Sequence, residues 1–139
     1  MNIKLIFCFP LLLLMTNCKT QTSQSETSAV AGHIATVGLE KQVKIPNSKV
    51  NLLFKEVLED SRCPVGVTCV WEGIAIIKIE GISGNEKTSF QVATRDFTAK
   101  NVKKSFNFSG YRFTLVELKP QPGGNEQPTT VSFKYEKEN

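Results

Sequence analysis

Cys63 and Cys69 are the residues of this chain whose type and spacing most directly suggest chemistry. Five residues separate them, whereas a redox-active pair usually has two between its cysteines, and a zinc site needs about four ligands. Pro64 and Gly66 suit a tight turn between the two thiols. We therefore predict a structural disulfide, which on the chain-entropy model stabilises the fold by roughly 2–2.5 kcal/mol. A redox pair and a metal site are the alternatives.

Residues that could support catalysis are scarce. His33 is the single histidine, so the sequence supplies neither a histidine-based zinc site nor a Ser-His-Asp triad. Asp60 and Glu72 could form a carboxylate pair for glycoside hydrolysis, but that chemistry needs a defined separation and a deep cleft. We predict that the protein is not an enzyme and uses no cofactor.

The N-terminus is typical of an export signal. Lys4 precedes an uncharged apolar run over residues 5–15, which is too short to cross a bilayer of roughly 30 Å as a helix. The following sequence, MTNC at 15–18, resembles a lipobox, the site at which a bacterial lipoprotein is acylated and cleaved. We predict a signal peptide over residues 1–17 and lipidation of Cys18; an ordinary secretory signal is the alternative.

Lipidation of Cys18 would decide the compartment. The protein would be anchored in the bacterial cell envelope, where oxidising conditions favour a disulfide. We expect it at the outer membrane facing the periplasm, with exposure on the cell surface as an alternative. Loss of the signal peptide lowers the formal net charge from +4 to +3, and the charge is spread along the chain. This pattern is not that of a nucleic-acid-binding protein.

The mature chain divides into a tether and a domain. Residues 18–32 are rich in serine, threonine and glutamine and contain no aromatic residue, which is typical of a flexible tether. From residue 33 to residue 139, short segments of alternating apolar residues are separated by turn residues, and no segment sustains a helical spacing. The predicted strands lie near 35–39, 42–45, 50–57, 69–82, 89–93, 106–108, 111–118 and 131–135.

Together these segments predict an all-β fold. We expect an antiparallel β-sandwich of about seven or eight short strands with one disulfide-closed loop, and a small β-barrel is the alternative. A change of phase near Lys55 predicts a bulge in the strand that begins at Val50. The strand over 69–82 has apolar residues on both faces, including Ile74 and Ile76, which suggests a central position buried on both sides.

Several motifs resemble a known family. The chain reads DSRCP at 60–64, CVWEG at 69–73, GYR at 110–112 and LKPQP at 118–122. These motifs are similar to those of a family of small bacterial secreted proteins and lipoproteins with a DSRCP…CxWxG signature, for which no function is established. The resemblance spans about residues 50–135. It leads us to expect an aromatic residue where this chain has Gln121.

Seven residues are candidates for a binding surface. They are Asp60, Arg62, Val65, Val67, Trp71, Tyr111 and Arg112. Asp60 and Arg62 flank the disulfide loop and could recognise a polar ligand or form a local ion pair that fixes the loop. Trp71 lies two residues after Cys69, so on one strand its indole would pack on the disulfide or offer a platform for a sugar or peptide.

These observations predict a lipid-anchored binding or accessory module whose contact surface is the end of the sandwich that carries the disulfide loop. A glycan or small-molecule binder using Trp71, Tyr111 and Arg112 is one alternative. A protease-inhibitor-like protein that presents the loop is a second, because a short closed loop is preorganised. A structural envelope protein is a third. The expected partners are the membrane, through Cys18, and an envelope protein or glycan, but no nucleic acid.

Overall fold

A computed structural model describes residues 29–31 and 33–139 of the 139-residue chain. The predicted signal peptide, Cys18 and most of the predicted tether lie outside the described residues. Residues 29–31 form a short strand, so regular β-structure extends into the segment that we assigned to the tether.

Nine strands and a one-turn 3₁₀ helix (Thr98–Lys100) make up the regular structure of the described residues. The strands are β1 (Ala29–Ala31), β2 (Ile34–Gly38), β3 (Gln42–Lys44), β4 (Val50–Asp60), β5 (Ala75–Ser83), β6 (Glu86–Ala93), β7 (Ser105–Phe108), β8 (Tyr111–Lys119) and β9 (Thr130–Lys137). They form a five-stranded sheet in the order β1-β2-β9-β8-β7 and a four-stranded sheet in the order β3-β4-β5-β6.

The two sheets are antiparallel and pack on one apolar core. Phe54 of the four-stranded sheet and Phe113 and Phe133 of the five-stranded sheet are its largest fully buried side chains. The prediction of an all-β sandwich is confirmed, and the sheets do not close into a barrel. In the described part of the chain the strands number nine, because β1 at the edge of the five-stranded sheet adds to the eight segments that the alternation identified.

Local patterning accounts for most strand positions. Along β4, Val50, Leu52 and Phe54 are buried in alternation, and the pairing with β5 then shifts register between Phe54 and Glu56, which confirms the predicted bulge. Ser109 and Gly110 connect β7 to β8 with φ angles of 48° and 78°. Positive φ at both central residues is the requirement of a type I′ hairpin turn.

The predicted strand over 69–82 is wrong at its start. β5 begins at Ala75, because Gly73 adopts a left-handed backbone conformation with φ of 72° that interrupts the extended chain. A Cβ atom at this position would lie 1.8 Å from the carbonyl oxygen of Ser61, so only glycine fits. Cys69 and Trp71 therefore lie in an irregular segment and do not share a strand face with Ala75.

The prediction that this region is buried on both faces is confirmed. Ile74 and Ile76 are buried on the outer face of the four-stranded sheet, against Ala93 and Val102. Phe97, from the segment that contains the 3₁₀ helix, packs on the same cluster. This small second core fixes the segment that carries Trp71 and brings residues after β6 next to it.

Candidate functional site

The disulfide loop is closed as predicted. Cys63 and Cys69 are bonded, with a Cα–Cα distance of 6.0 Å. Inside the loop, the backbone N–H of Val67 donates to the carbonyl of Pro64 at 3.3 Å, and Gly66 has a φ of 75°. The centre of the loop is therefore a turn and not an extended strand.

Three hydrogen bonds outside the turn hold the loop in place. The backbone N–H of Cys63 donates to the carbonyl of Glu72 at 3.1 Å, and that of Val65 donates to the carbonyl of Pro122 at 2.9 Å. The side-chain amide of Gln121 donates to the carbonyl of Cys63 at 2.9 Å. The proline-containing loop after β8 thus supports the disulfide loop from one side, and the residues before β5 support it from the other.

Arg62 joins these two loops through all of its donors. Its Nε donates to Oδ1 of Asp60 at 2.8 Å, and its Nη2 donates to Oδ2 of Asp60 at 2.6 Å. Nη2 also donates to the carbonyl of Pro120 at 2.7 Å. Its Nη1 donates to the carbonyl of Leu118 at 2.6 Å and to Oε1 of Gln121 at 3.2 Å. A guanidinium carries five N–H groups, and these five contacts use every one of them.

This arrangement favours the structural interpretation of Asp60 and Arg62. The Arg62 side chain is only 9% exposed, and both carboxylate oxygens of Asp60 are bonded to it. A ligand would have to break an existing bidentate pair to reach either group. Arg62 is therefore a positioning residue that holds the loop in place, and no pattern in the sequence predicts its contacts with residues 118–121.

Four apolar side chains are exposed on or directly after the disulfide loop. Val65 and Val67 are 58% and 56% exposed, Val70 is fully exposed, and Trp71 is 45% exposed. We call these four residues the loop patch. Val65 and Val67 were predicted as binding residues. Val70 was not among the predicted residues.

Trp71 contacts residues that the sequence did not indicate. Its ring lies 5.7 Å from that of Phe97, and the guanidinium of Arg95 lies 4.4 Å from the indole centroid, at cation–π distance. Arg95 also pairs with Glu72 at 3.1 Å. The expected position of Trp71 over the disulfide depended on a continuous strand that does not form. Instead, the indole is held beside the loop with part of its surface open to solvent.

Tyr111 and Arg112 lie at the other end of the sandwich. Tyr111 begins β8, whereas the disulfide loop meets this strand at Leu118, seven residues further along. At a rise of about 3.3 Å per residue, the separation is about 23 Å. The structure therefore does not bring Trp71 together with Tyr111 and Arg112 in one site, as the glycan-binding alternative had assumed.

Other site types find little support among residues 33–139. In this part of the chain no group of three or more histidine, cysteine, aspartate or glutamate side chains could hold a metal ion. No helix within the described residues has the length and apolarity needed to cross a membrane. The suggested carboxylate pair is also engaged elsewhere, since Asp60 binds Arg62 and Glu72 pairs with Arg95 at the surface.

Comparisons of the chain with protein-family models, with curated proteins and with solved structures find no match. The fold and the site therefore define the class of protein directly. It is a β-sandwich module that presents an apolar patch on a disulfide-closed, hydrogen-bonded loop. The resemblance to the family with the DSRCP…CxWxG signature stays a prediction.

Proposed function

We propose that this protein is a lipid-anchored binding module of the bacterial envelope that docks onto a partner protein through the loop patch. The observation that carries the proposal is the exposure of Val65 and Val67 on a loop that a disulfide and Arg62 hold in one conformation, with Val70 exposed directly after the loop. Soluble surfaces commonly expose single apolar residues, but several exposed apolar residues within and directly after one rigid loop are typical of an interaction site.

The energetics suit a compact interface. Moving each exposed valine out of water contributes on the order of 1–2 kcal/mol. Because the loop is already ordered, little conformational entropy is lost when a partner binds it. Trp71 adds a large, partly exposed ring, and tryptophan is among the residues that contribute most to binding at protein interfaces. Arg95 and Glu72, paired beside the ring, would form part of a polar rim.

The loop conformation favours docking over the alternatives. An inhibitor that enters a cleft as an added strand needs an extended backbone, whereas residues 64–67 form a turn. A sugar platform needs an open aromatic face, whereas Arg95 lies over the indole of Trp71. Both alternatives therefore have less support than a patch that a protein surface covers.

Site-specific photo-crosslinking in intact envelopes tests the docking surface. A crosslinking residue would replace Val67 in one variant and Val70 in another, with Ser109 in the hairpin at the opposite end as the matched control. We expect one envelope protein to be captured from both valine positions and not from Ser109. Equal capture from all three positions, or none from the valines, would contradict the proposal.

Purified components then measure the interaction. Trp71 is the only tryptophan, so its fluorescence reports directly on the loop patch. Titration of the captured protein is expected to shift the emission to shorter wavelength as water leaves the indole. Val67→Ser should weaken binding about five- to tenfold, and Val116→Ser, an exposed valine on β8 that is not part of the loop patch, should leave it unchanged.

The anchor is tested separately. Wild-type protein is expected in the membrane fraction, with a mass that includes acyl chains on Cys18 and lacks residues 1–17. Cys18→Ser should remove the acyl mass and release the protein into the soluble fraction. A membrane-bound Cys18→Ser variant would show that anchoring does not depend on this residue.

A further inference from the structure

A concave surface lies at the end of the sandwich opposite the disulfide loop. It is a cleft of about 650 Å³ between the start of β2, the end of β9 and the turn at Pro46 and Asn47 that joins β3 to β4. Its walls come from both sheets. The volume is within the range of small-molecule sites, roughly 300–1,000 Å³. No residue of the loop patch contributes to this cleft, so it is a separate feature of the molecule.

Aromatic rings line the cleft. The rings of Tyr111 and Tyr135 lie 6.4 Å apart at an interplanar angle of 62°, and the ring of His33 packs edge-on against Tyr135 at 5.8 Å. Tyr111 is half-buried, so part of its ring is open to the cleft. The face of such a ring carries negative charge density and attracts polarised C–H groups, which the faces of a pyranose present.

One cation is placed beside these rings. Lys137 lies opposite Tyr111 in the β8–β9 register and two residues after Tyr135. Side chains two residues apart on a strand point to the same face, so Lys137 extends the aromatic surface towards the mouth of the cleft. Lys137 is exposed and lines the same cleft as Tyr111, so its ammonium is available to an anion that binds there.

The remaining charges leave the cleft positive. Lys134 pairs with Glu136 at 2.6 Å, and this contact lowers the pKa of the Glu136 carboxyl below its ordinary value. Arg112 lies opposite Glu136 on the neighbouring strand. Glu136 is thus already balanced by two cations, which leaves Lys137 to face an incoming anion. The Asn47 amide and the His33 imidazole supply neutral hydrogen-bonding groups at the rim.

We propose that this cleft binds an acidic saccharide, with a pyranose face against Tyr111 and a carboxylate at Lys137. A ring with an apolar face, several hydroxyls and one anionic group matches the three kinds of lining: tyrosine rings, neutral polar groups and a lysine. A neutral sugar would leave the lysine unused, and a small inorganic anion would leave the rings unused.

The probe for this site is a trimer of galacturonic acid, compared with its methyl ester. The ester has the same rings and hydroxyls but no charge. Isothermal titration calorimetry of the full-length protein, purified in detergent micelles, is expected to detect the acid, with the ester at least fivefold weaker. Lys137→Gln should weaken the acid about five- to tenfold and leave the ester unchanged. Lys103→Gln, an exposed lysine outside the cleft, is the matched control.

Four outcomes would overturn the proposal. They are equal affinity for acid and ester, no change with Lys137→Gln, no heat from the acid at millimolar concentration, and displacement of the trimer by benzoate at equal concentration, which would indicate an aromatic carboxylate instead. Lys137 is exposed near the end of β9, so its variant is expected to keep the wild-type melting temperature. The emission of Trp71 should not change during the titration, because the loop patch lies at the other end of the sandwich.

Discussion

Removal of the Arg62 side chain is predicted to destabilise the protein far more than removal of an exposed charge such as that of Lys78. In Arg62→Gln, the Asp60 carboxylate and the carbonyl oxygens of Leu118 and Pro120 lose the guanidinium donors, and Asp60 keeps only the backbone N–H of residue 62, at 3.3 Å. Hydrogen bonds that involve a charged group contribute about 1.5–3 kcal/mol, and a buried acceptor left without a partner costs about 1–3 kcal/mol. Because Asp60 is partly exposed and water can replace some contacts, we expect a net loss of about 2–4 kcal/mol.

The size of the effect should depend on geometry as well as charge. Arg62→Lys keeps the positive charge, but an ammonium has three donors around one nitrogen and cannot reach acceptors spread over two loops. We therefore expect it to recover less than half of the loss. Lys78→Gln is the matched control, because Lys78 makes an exposed ion pair with Glu56 at 3.4 Å. Pairs of this kind contribute about 0–1 kcal/mol.

Urea unfolding followed by far-ultraviolet circular dichroism provides the assay, with the disulfide kept oxidised. The free energy of unfolding in water is compared at constant slope, so that a change in midpoint reports on stability. An Arg62→Gln variant within about 0.5 kcal/mol of the wild type would refute the reasoning, since it would show that the five contacts contribute nothing net. Equal losses for Arg62→Lys and Arg62→Gln would support the geometric argument in its strongest form.

Three further predictions concern the disulfide, the left-handed Gly73 and the exposed ion pair of Lys134 with Glu136. Reduction of the disulfide should lower the free energy of unfolding by about 2 kcal/mol and leave the β-sheet spectrum intact; complete unfolding at room temperature would show a weaker core than the burial implies. Gly73→Ala should abolish or severely reduce folding, because its Cβ would meet the Ser61 carbonyl, whereas Gly84→Ala, with open space around it, should cost about 1 kcal/mol. Lys134→Gln should raise the pKa of Glu136, which can be measured from the NMR chemical shift of its carboxyl carbon. Because the pKa of Glu136 is lower in the folded protein than the ordinary value of 4.5, the ion pair stabilises the fold above pH 4.5, and this contribution is lost as the pH falls.

The sequence was sufficient for the architecture because burial along a strand is a local pattern. The alternation of Val50, Leu52 and Phe54 and the turn at Ser109 and Gly110 each depend on residues within a few positions of one another. The disulfide followed equally from counting cysteines. The error at residues 69–74 has a local cause as well, since a left-handed glycine is compatible with both a bulge and a strand end, and only its contact with Ser61 decides between them.

The candidate site was harder to predict because its partners are distant in sequence and many are backbone atoms. Arg62 binds carbonyl oxygens 56 and 58 residues away, and no pattern of side chains marks a carbonyl as an acceptor. Trp71 meets Arg95 and Phe97 only because the chain after β6 folds back over the second core. The grouping of Trp71 with Tyr111 failed for a related reason, since aromatic residue type gives no information about which end of a strand a residue occupies.

Gln121 connects the frame of the loop to the proposed contact surface. Its amide accepts from Arg62 and donates to the carbonyl of Cys63, so one side chain joins the arginine to the disulfide loop. The family resemblance leads us to expect an aromatic residue here. A phenylalanine has no hydrogen-bonding group, so it could make neither bond and would instead add apolar surface beside the prolines. In this chain position 121 therefore reinforces the frame, and the apolar contact surface is left to Val65, Val67 and Val70. Gln121→Phe should accordingly loosen the loop while it enlarges the apolar surface, two effects that binding affinity and stability would report separately.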